Sequence, residues 1–321
     1  MISATDFEKK QIIVVLFSEG ERMSFSNDNV VVRTPDNKIK FQCSCFRLFI
    51  IYAVGNCSIT SVLISKAKKF GFFIAMMTSG FRLYSVIGAD KDSNTLLKEK
   101  QYKFSGNDLA KHIIKNKIFN QAATLNMVRN KSESQKEAIK TIQKYLTQID
   151  RCENIGELMA YEGLSAKLYF KNYFNNILWQ GRQPRIKRDI ANSVLDIGYT
   201  LLFSFIDALL SAYGFDTYKG VMHKQFYMRK SLVCDIVEPF RPLIDIQMKK
   251  SFNLKQIKDN DFTIINNQYR VKWSESAKYV SILMTPIIEN KKYIFDYIQN
   301  YYRAFMKGLT AEKFPIFDIG E

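Results

Sequence analysis

The chain has 321 residues, and its 47% hydrophobic content is enough to build real cores, which excludes a disordered chain and fits two domains. Forty-seven Lys and Arg against 31 Asp and Glu give a formal charge of +16, which favours a polyanionic partner such as nucleic acid or an acidic membrane surface. The five cysteines, at 43, 45, 57, 152 and 234, form no Cys-x-x-Cys pair and keep no company of histidines at zinc spacing, so a reduced, cytoplasmic protein is expected.

In chain order, MISATDFEKKQ lacks a basic region, an apolar run and a cleavage site, so no signal peptide is expected. From Gln11 to about Gly88, short apolar runs are cut by turn residues. QIIVVLF, NVVVRT after the turn Ser26-Asn27-Asp28, KIKFQC and FRLFIIYAVG read as strands. SITSVLISKAKKFG has a Ser or Thr start, helical periodicity and a stop at Gly71, and FFIAMM and FRLYSVI flank the turn Thr78-Ser79-Gly80. After the charged stretch ADKDSNTLLKEKQ, long periodic segments predict helices at about 107–127, 133–149, 154–178, 190–213, 231–249 and 275–307. FTIINNQYRVKW has two β-rich arms around Asn266-Asn267 and reads as a hairpin. The most apolar segment, residues 194–214, carries Asp196, Thr200, Asp207 and Ser211 as a polar stripe, which predicts a buried helix and no membrane span.

The expected fold class is α+β. A small β-rich domain with one internal helix (1–90) is followed by a linker (91–106) and a larger all-helical domain (107–321).

Three segments carry residue types that suggest chemistry. In the helix ENIGELMAYEGLSAKLYFKNYFNNILW, Ile155, Leu158, Ala166, Tyr169 and Tyr173 share one face with Glu162 in its middle. A carboxylate on an apolar stripe needs compensation, either a salt bridge to a basic residue or a metal ion. Asp235 and Glu238 stand at i and i+3, so on a helix they project to one side and can converge on one cation. His223, one of only two histidines, lies twelve residues before Asp235 across a loop. Three acids and a rare histidine, each oddly placed, favour a metal site, and oxygen-rich ligation with one imidazole suits Mg²⁺ or Mn²⁺. His112 has no acids around it and reads as an ordinary helix residue.

Basic residues surround these acids in sequence. Lys219, Lys224, Arg229, Lys230 and Arg241 flank the acid pair, and GRQPRIKR supplies Arg182, Arg185, Lys187 and Arg188. Such clusters neutralise phosphates and give sequence-tolerant, salt-sensitive affinity, although a solvated basic surface has the same composition. No Gly-rich phosphate loop, Gly-x-Ser-x-Gly or Cys/His pairing is present.

Four segments resemble, in order, those of the CRISPR-associated integrase family, Cas one. YAVGNCSITSVLISKAKKFGFFIAMMTSG is similar to its β-domain core, LMAYEGLSAKLYF to its glutamate helix, DTYKGVMH to its histidine loop, and KSLVCDIVEPFRPLID to its acidic helix. The resemblance implies a dimerising N-terminal β domain and a helical domain that binds DNA and metal. It implies Glu162, His223 and Glu238 as metal ligands with Asp235 beside them. Many members carry aspartate in place of Glu238, which leaves the exact coordination open. It implies attack of a DNA 3′-hydroxyl on a phosphodiester of the CRISPR repeat, inserting spacers into the array, with a cation stabilising the charge on the phosphate. The implied partners are a Cas two dimer bridging two integrase dimers and, in some systems, a Cas four exonuclease. A plain metal-dependent endonuclease uses the same residues, and a non-catalytic DNA-binding scaffold would turn the acids into salt bridges. A homodimer is expected also because the β domain exposes strand edges and carries an apolar load, FRLFIIYAVG, that a domain this small does not bury alone.

Overall fold

The structure, a computed structural model, describes residues 3–89, 94–177, 179–223 and 226–320. Its first part runs α1 (Ala4–Glu8), β1 (Gln11–Phe17), β2 (Arg22–Ser26), β3 (Asn29–Arg33), β4 (Ile39–Ser44), β5 (Leu48–Gly55), β6 (Ser58–Ile59), α2 (Ser61–Phe70), β7 (Phe73–Met77) and β8 (Leu83–Gly88). The second runs α3 (Thr95–Lys103), α4 (Asp108–Asn126), α5 (Glu133–Ile149), α6 (Ile155–Tyr173), α7 (Ile190–Tyr213), α8 (Ser231–Val237), α9 (Arg241–Asn253), β9 (Phe262–Ile265), β10 (Gln268–Val271), α10 (Ser276–Glu289) and α11 (Lys291–Lys307). The α+β class and the order of its halves are as the sequence predicts.

Two sheets build the first part. One has the order β1-β5-β7-β8, with β1, β5 and β7 parallel and β8 antiparallel to β7; the other has the order β4-β3-β2-β6. Parallel β5 and β7 need a crossover, and α2 supplies it, capped by the Thr60 hydroxyl and stopped by Gly71 at φ 77°. Strand β2 is absent from the sequence reading, because RMSFS carries only Met23 as a fully buried apolar residue. It pairs with β3 through Asn27 and Asp28, both in left-handed conformation, as a tight hairpin turn requires.

Every residue of β5 is buried, and its two faces serve different cores. Leu48, Ile51 and Ala53 pack with Val30, Val32 and α2; Phe49, Tyr52 and Val54 pack with Phe205 of α7 and Phe295 of α11. The Tyr52 hydroxyl donates to the Leu201 carbonyl of α7 (3.0 Å), and Phe7 stacks on Phe295 with centroids 4.3 Å apart. From Leu48 to Gly55 the apolar run that suggested a second copy is thus covered by the chain's own elements, while Phe46 just before it is exposed. Burial of residues 48–55 is no argument for a dimer.

Two further expectations need correction. The stretch assigned to a linker contains α3, whose Leu97 is buried and whose Gln101 and Tyr102 bond Asp216; its charged composition, with one buried apolar residue, hides the periodicity. Residues 91–93 of that stretch lie outside the described residues. The second part is not all-helical, since β9 and β10 form the hairpin turned by Asn266 and Asn267, both at positive φ. Helix α7 is long and apolar enough to span a membrane, but 83% of that apolar window is buried in the fold. Gly198 lets it approach α9, where a Cβ would strike Ile244.

Candidate active site

The site is assembled by α4, α6 and the short turn after α8. Helix α4 buries Ile113, Ile114, Lys117, Asn120, Gln121 and Thr124, residues three or four apart on one face. The polar members of that face are used. Asn120 donates to the carbonyls of Pro239 (3.0 Å) and Phe317 (2.9 Å), and Gln121 accepts from Ser165 of α6 (2.9 Å). Glu162 lies on the α6 face that buries Leu158, Ser165 and Tyr169. Helix α8 gives way at Glu238 to a tighter turn, Glu238–Phe240, with Pro239 inside it, and Asn120 pins that turn.

Glu162 and Glu238 meet on Lys117. The buried ammonium contacts Glu162 Oε1 and stands 2.6 Å from Glu238 Oε2. Arg241 Nη2 holds the other oxygen of Glu238 at 3.0 Å, with its guanidinium carbon 4.8 Å from the centre of the Tyr199 ring. Burial opposes the Glu238 charge, but Arg241 and Lys117, with a contribution from His223, outweigh it and hold the carboxyl below its usual range. Burial likewise opposes the Lys117 charge, and the carboxylates of Glu238 and Glu162 more than offset it, so the ammonium is held above its ordinary value.

Asp235 faces elsewhere. Its carboxylate, fully buried, accepts from the backbone amides of Val221 (2.7 Å), Met222 (3.1 Å) and His223 (3.1 Å) and pairs with His223 Nδ1 at 2.6 Å. Gly220 makes this wrap possible, because a Cβ there would sit 2.7 Å from Asp235 Oδ2 and 3.0 Å from the His223 carbonyl. With Nδ1 on the carboxylate, Nε2 is the nitrogen left for a ligand or a proton. A carboxylate behind an imidazole fixes both its tautomer and its orientation.

The i, i+3 acids take different partners here: Asp235 anchors the histidine loop, and Glu238 joins Glu162 on Lys117. Among the described residues, no three His, Cys, Asp or Glu side chains stand together closely enough to hold a metal ion. The donor chemistry nevertheless suits a hard divalent cation. Two carboxylates, that of Glu238 almost fully buried, share one cationic neighbour, so such a cation could take the place the ammonium holds.

The basic residues separate into two groups. Arg182 pairs with Asp196 (2.6 Å), Lys230 with the buried Asp207 (2.6 Å) and Arg241 with Glu238, so these three hold the fold together. Lys187 is half-buried over the Gly80 carbonyl, and burial lowers its pKa. Arg185 and Arg188 are exposed, Arg229 is half-buried beside Cys234, and Lys224 lies outside the described residues. His112 bonds the Pro315 carbonyl, as an ordinary helix residue.

Sequence reasoning passed over Lys117 and Asp245. Lys117 occupies a buried-face position in AKHIIKNKIF, and the logic that singled out Glu162 applies to it equally. Asp245 ends the segment KSLVCDIVEPFRPLID. Buried on α9, it accepts hydrogen bonds from Tyr169 (3.0 Å) and Tyr199 and braces α6 against α7 and α9.

Residues 14–283 match the family described as CRISPR associated protein Cas1. The "CRISPR-associated endonuclease Cas1 1" of Thermodesulfovibrio yellowstonii is 29% identical over 225 residues, covering 66% of this chain and 71% of that protein. A solved "Casposase bound to integration product" superposes with a TM-score of 0.80 at 19% identity, covering 97% of this chain and 95% of that one. A "Cas6-RT-Cas1--Cas2 complex" gives a TM-score of 0.83 at 19% identity, covering 97% of this chain but 36% of that one. At these identities the structures show a shared fold.

Proposed function

The chain belongs to the CRISPR-associated protein Cas1 family, and from that premise we propose that it is a divalent-metal-dependent DNA integrase that inserts spacer DNA into a CRISPR array. The observation that carries this reading is the meeting of Glu162 and Glu238 on one cationic position, beside an imidazole oriented by Asp235. The name of the casposase complex, an integration product bound to a protein of this fold, supports joining over cutting alone.

In this reading Glu162, Glu238 and His223, whose Nε2 is the nitrogen left by its bond to Asp235, would hold Mg²⁺ or Mn²⁺. Such a cation would supply polarisation of a phosphodiester and stabilisation of the charge that gathers on its oxygens. A 3′-hydroxyl of the incoming DNA gives up its proton and attacks phosphorus. The repeat's own P–O3′ bond breaks, and the departing oxygen takes a proton. Where it is not engaged as a ligand, His223 is the group placed to move one of these protons, with Asp235 keeping its ring in register. Arg185, Arg188 and Arg229 supply contacts to backbone phosphates.

The assembly in this reading is two homodimers bridged by a Cas2 dimer, with a Cas4 exonuclease trimming the incoming DNA in those systems that carry one. The complex named for Cas1 and Cas2 supports the bridging partner. The outer edge strand β4, with exposed Ile39 and Phe46 near it, supports a contact between copies.

The test incubates the chain and partner with Mn²⁺, a duplex bearing free 3′-hydroxyls and a repeat-bearing target. Joined products are expected. Cut but unjoined target would favour the endonuclease reading, which the names of relatives support. Indifference to metal in both reaction and thermal stability would leave a DNA-binding scaffold.

A further inference from the structure

We propose that the Lys117 ammonium is a built-in counter-ion that competes with a divalent cation for the carboxylates of Glu162 and Glu238, so that the site accepts metal only as Lys117 withdraws. This rests on the reading that these two carboxylates hold the metal.

Lys117 is buried on α4, and its ammonium lies between two carboxylates brought from α6 and from the turn after α8. Without it, two acids would face one another in a site where Glu238 is 5% exposed, an arrangement that repulsion and desolvation both oppose. The ammonium is therefore what permits the carboxylates to converge before metal arrives.

The same contact makes it a competitor. Lys117 and Arg241 together already balance the charge of Glu162 and Glu238, so a dipositive ion added among them leaves a buried excess of positive charge. One cation must retreat. Arg241 has a second hold on its place, its guanidinium over the Tyr199 ring. Lys117 is held by contacts to the same two carboxylates, a hydrogen bond to Glu162 among them, and its four-carbon stem with several rotatable bonds lets the ammonium swing while its backbone stays in α4. Lys117 is the cation that gives way, and its withdrawal uncovers an oxygen from each carboxylate, Glu162 Oε1 and Glu238 Oε2.

The experiment measures Mn²⁺ binding to the full chain without DNA, by isothermal titration calorimetry and by the Mn²⁺-induced change in Tm. It compares wild type with Lys117→Met, Lys117→Arg and Glu238→Gln. Lys117→Met, close in length but uncharged, is expected to lower Tm without metal, to bind Mn²⁺ roughly tenfold more tightly or better, and to gain more Tm on adding it. Lys117→Arg, whose planar fork grips two carboxylates more firmly, is expected to bind Mn²⁺ more weakly than wild type and serves as the folded comparison should the methionine variant not fold. Equal or weaker Mn²⁺ binding by Lys117→Met, or Lys117→Arg binding as well as wild type, overturns the competition while metal binding lost in Glu238→Gln leaves the functional reading standing. An absence of Mn²⁺ binding in wild type and in both Lys117 variants overturns both.

Discussion

Asp235 holds His223 twice, by the backbone amide at 3.1 Å and by the imidazole Nδ1 at 2.6 Å, and the next two amides upstream close the same wrap. A lone carboxylate on the first helix after the loop thus sets both the path of the histidine loop and the direction of its ring. Asp235→Asn keeps the volume but replaces one accepting oxygen with a donor, so it opposes the amides it should receive. Strand transfer is expected to fall about 10- to 100-fold, as for other groups that orient an active-site histidine. Stability should drop by about 2–3 kcal/mol, because buried amides lose a charged acceptor. An activity assay and urea unfolding check this; a variant with wild-type joining would mean the ring needs no anchor.

Glu162→Gln and Glu238→Gln should each reduce joining by about a hundredfold or more, since either change removes an anionic ligand of the cation that would stabilise the charge on the phosphate. DNA affinity should stay within a few-fold of wild type, because neither side chain is part of the exposed basic surface. Gel-shift and integration assays on the same preparations separate the two effects. Near-normal joining by one variant would remove that residue from the site.

The glutamates are legible in the sequence for different reasons: Glu162 interrupts an apolar stripe, and Glu238 stands three residues after a second acid, Asp235. Their partner is not. Lys117 breaks its pattern just as clearly, but in a chain of charge +16 one more lysine does not stand out until its neighbours are in place. The i, i+3 spacing does not say that the two acids take different partners, for a physical reason. The helix tightens at Glu238, and the Asp235 oxygens are already taken by a loop some twelve residues upstream, a long-range contact that periodicity does not encode. Strand β5 shows the same limit at the level of the fold. Its run LFIIYAVG announces burial, and only the packing shows that α7 and α11, and not a second copy, cover one of its faces.

Exposed and paired arginines in the segment before α7 should behave differently. Neutralising Arg185 or Arg188 should flatten the slope of log K against log salt by about 0.9 for each duplex phosphate left without its cation, with little change in Tm. Arg182→Ala should act the other way, lowering Tm because Asp196 loses its 2.6 Å partner, and changing the salt slope little. Salt-dependent DNA titrations and thermal unfolding of the three variants make the comparison. Unchanged slopes for both exposed residues would leave this segment as ordinary solvated surface.

Asp245 gives the chain a pH dependence that can be isolated. Burial pushes its carboxyl up to about 6, with the hydroxyls of Tyr199 and Tyr169 and the charges of Arg241 and Arg182 limiting the rise. The folded protein therefore holds this proton more tightly than the unfolded chain, whose carboxyl has an ordinary value near 3.8. Stability from this group is full below that ordinary value and is lost as pH rises from about 4 to about 6. Asp245→Asn cannot ionise, so it escapes the loss. The unfolding free energy of the asparagine variant minus that of wild type should climb across this window by up to about 3 kcal/mol and stay level above it. Taking the difference cancels the carboxylates common to both proteins, Glu238 among them, whose lowered pKa works in the opposite direction by withdrawing stability as pH falls. Urea unfolding of both proteins at pH 4, 5, 6 and 7 reads the difference. A flat difference would mean that the two tyrosine hydroxyls already offset the burial of the Asp245 charge in full.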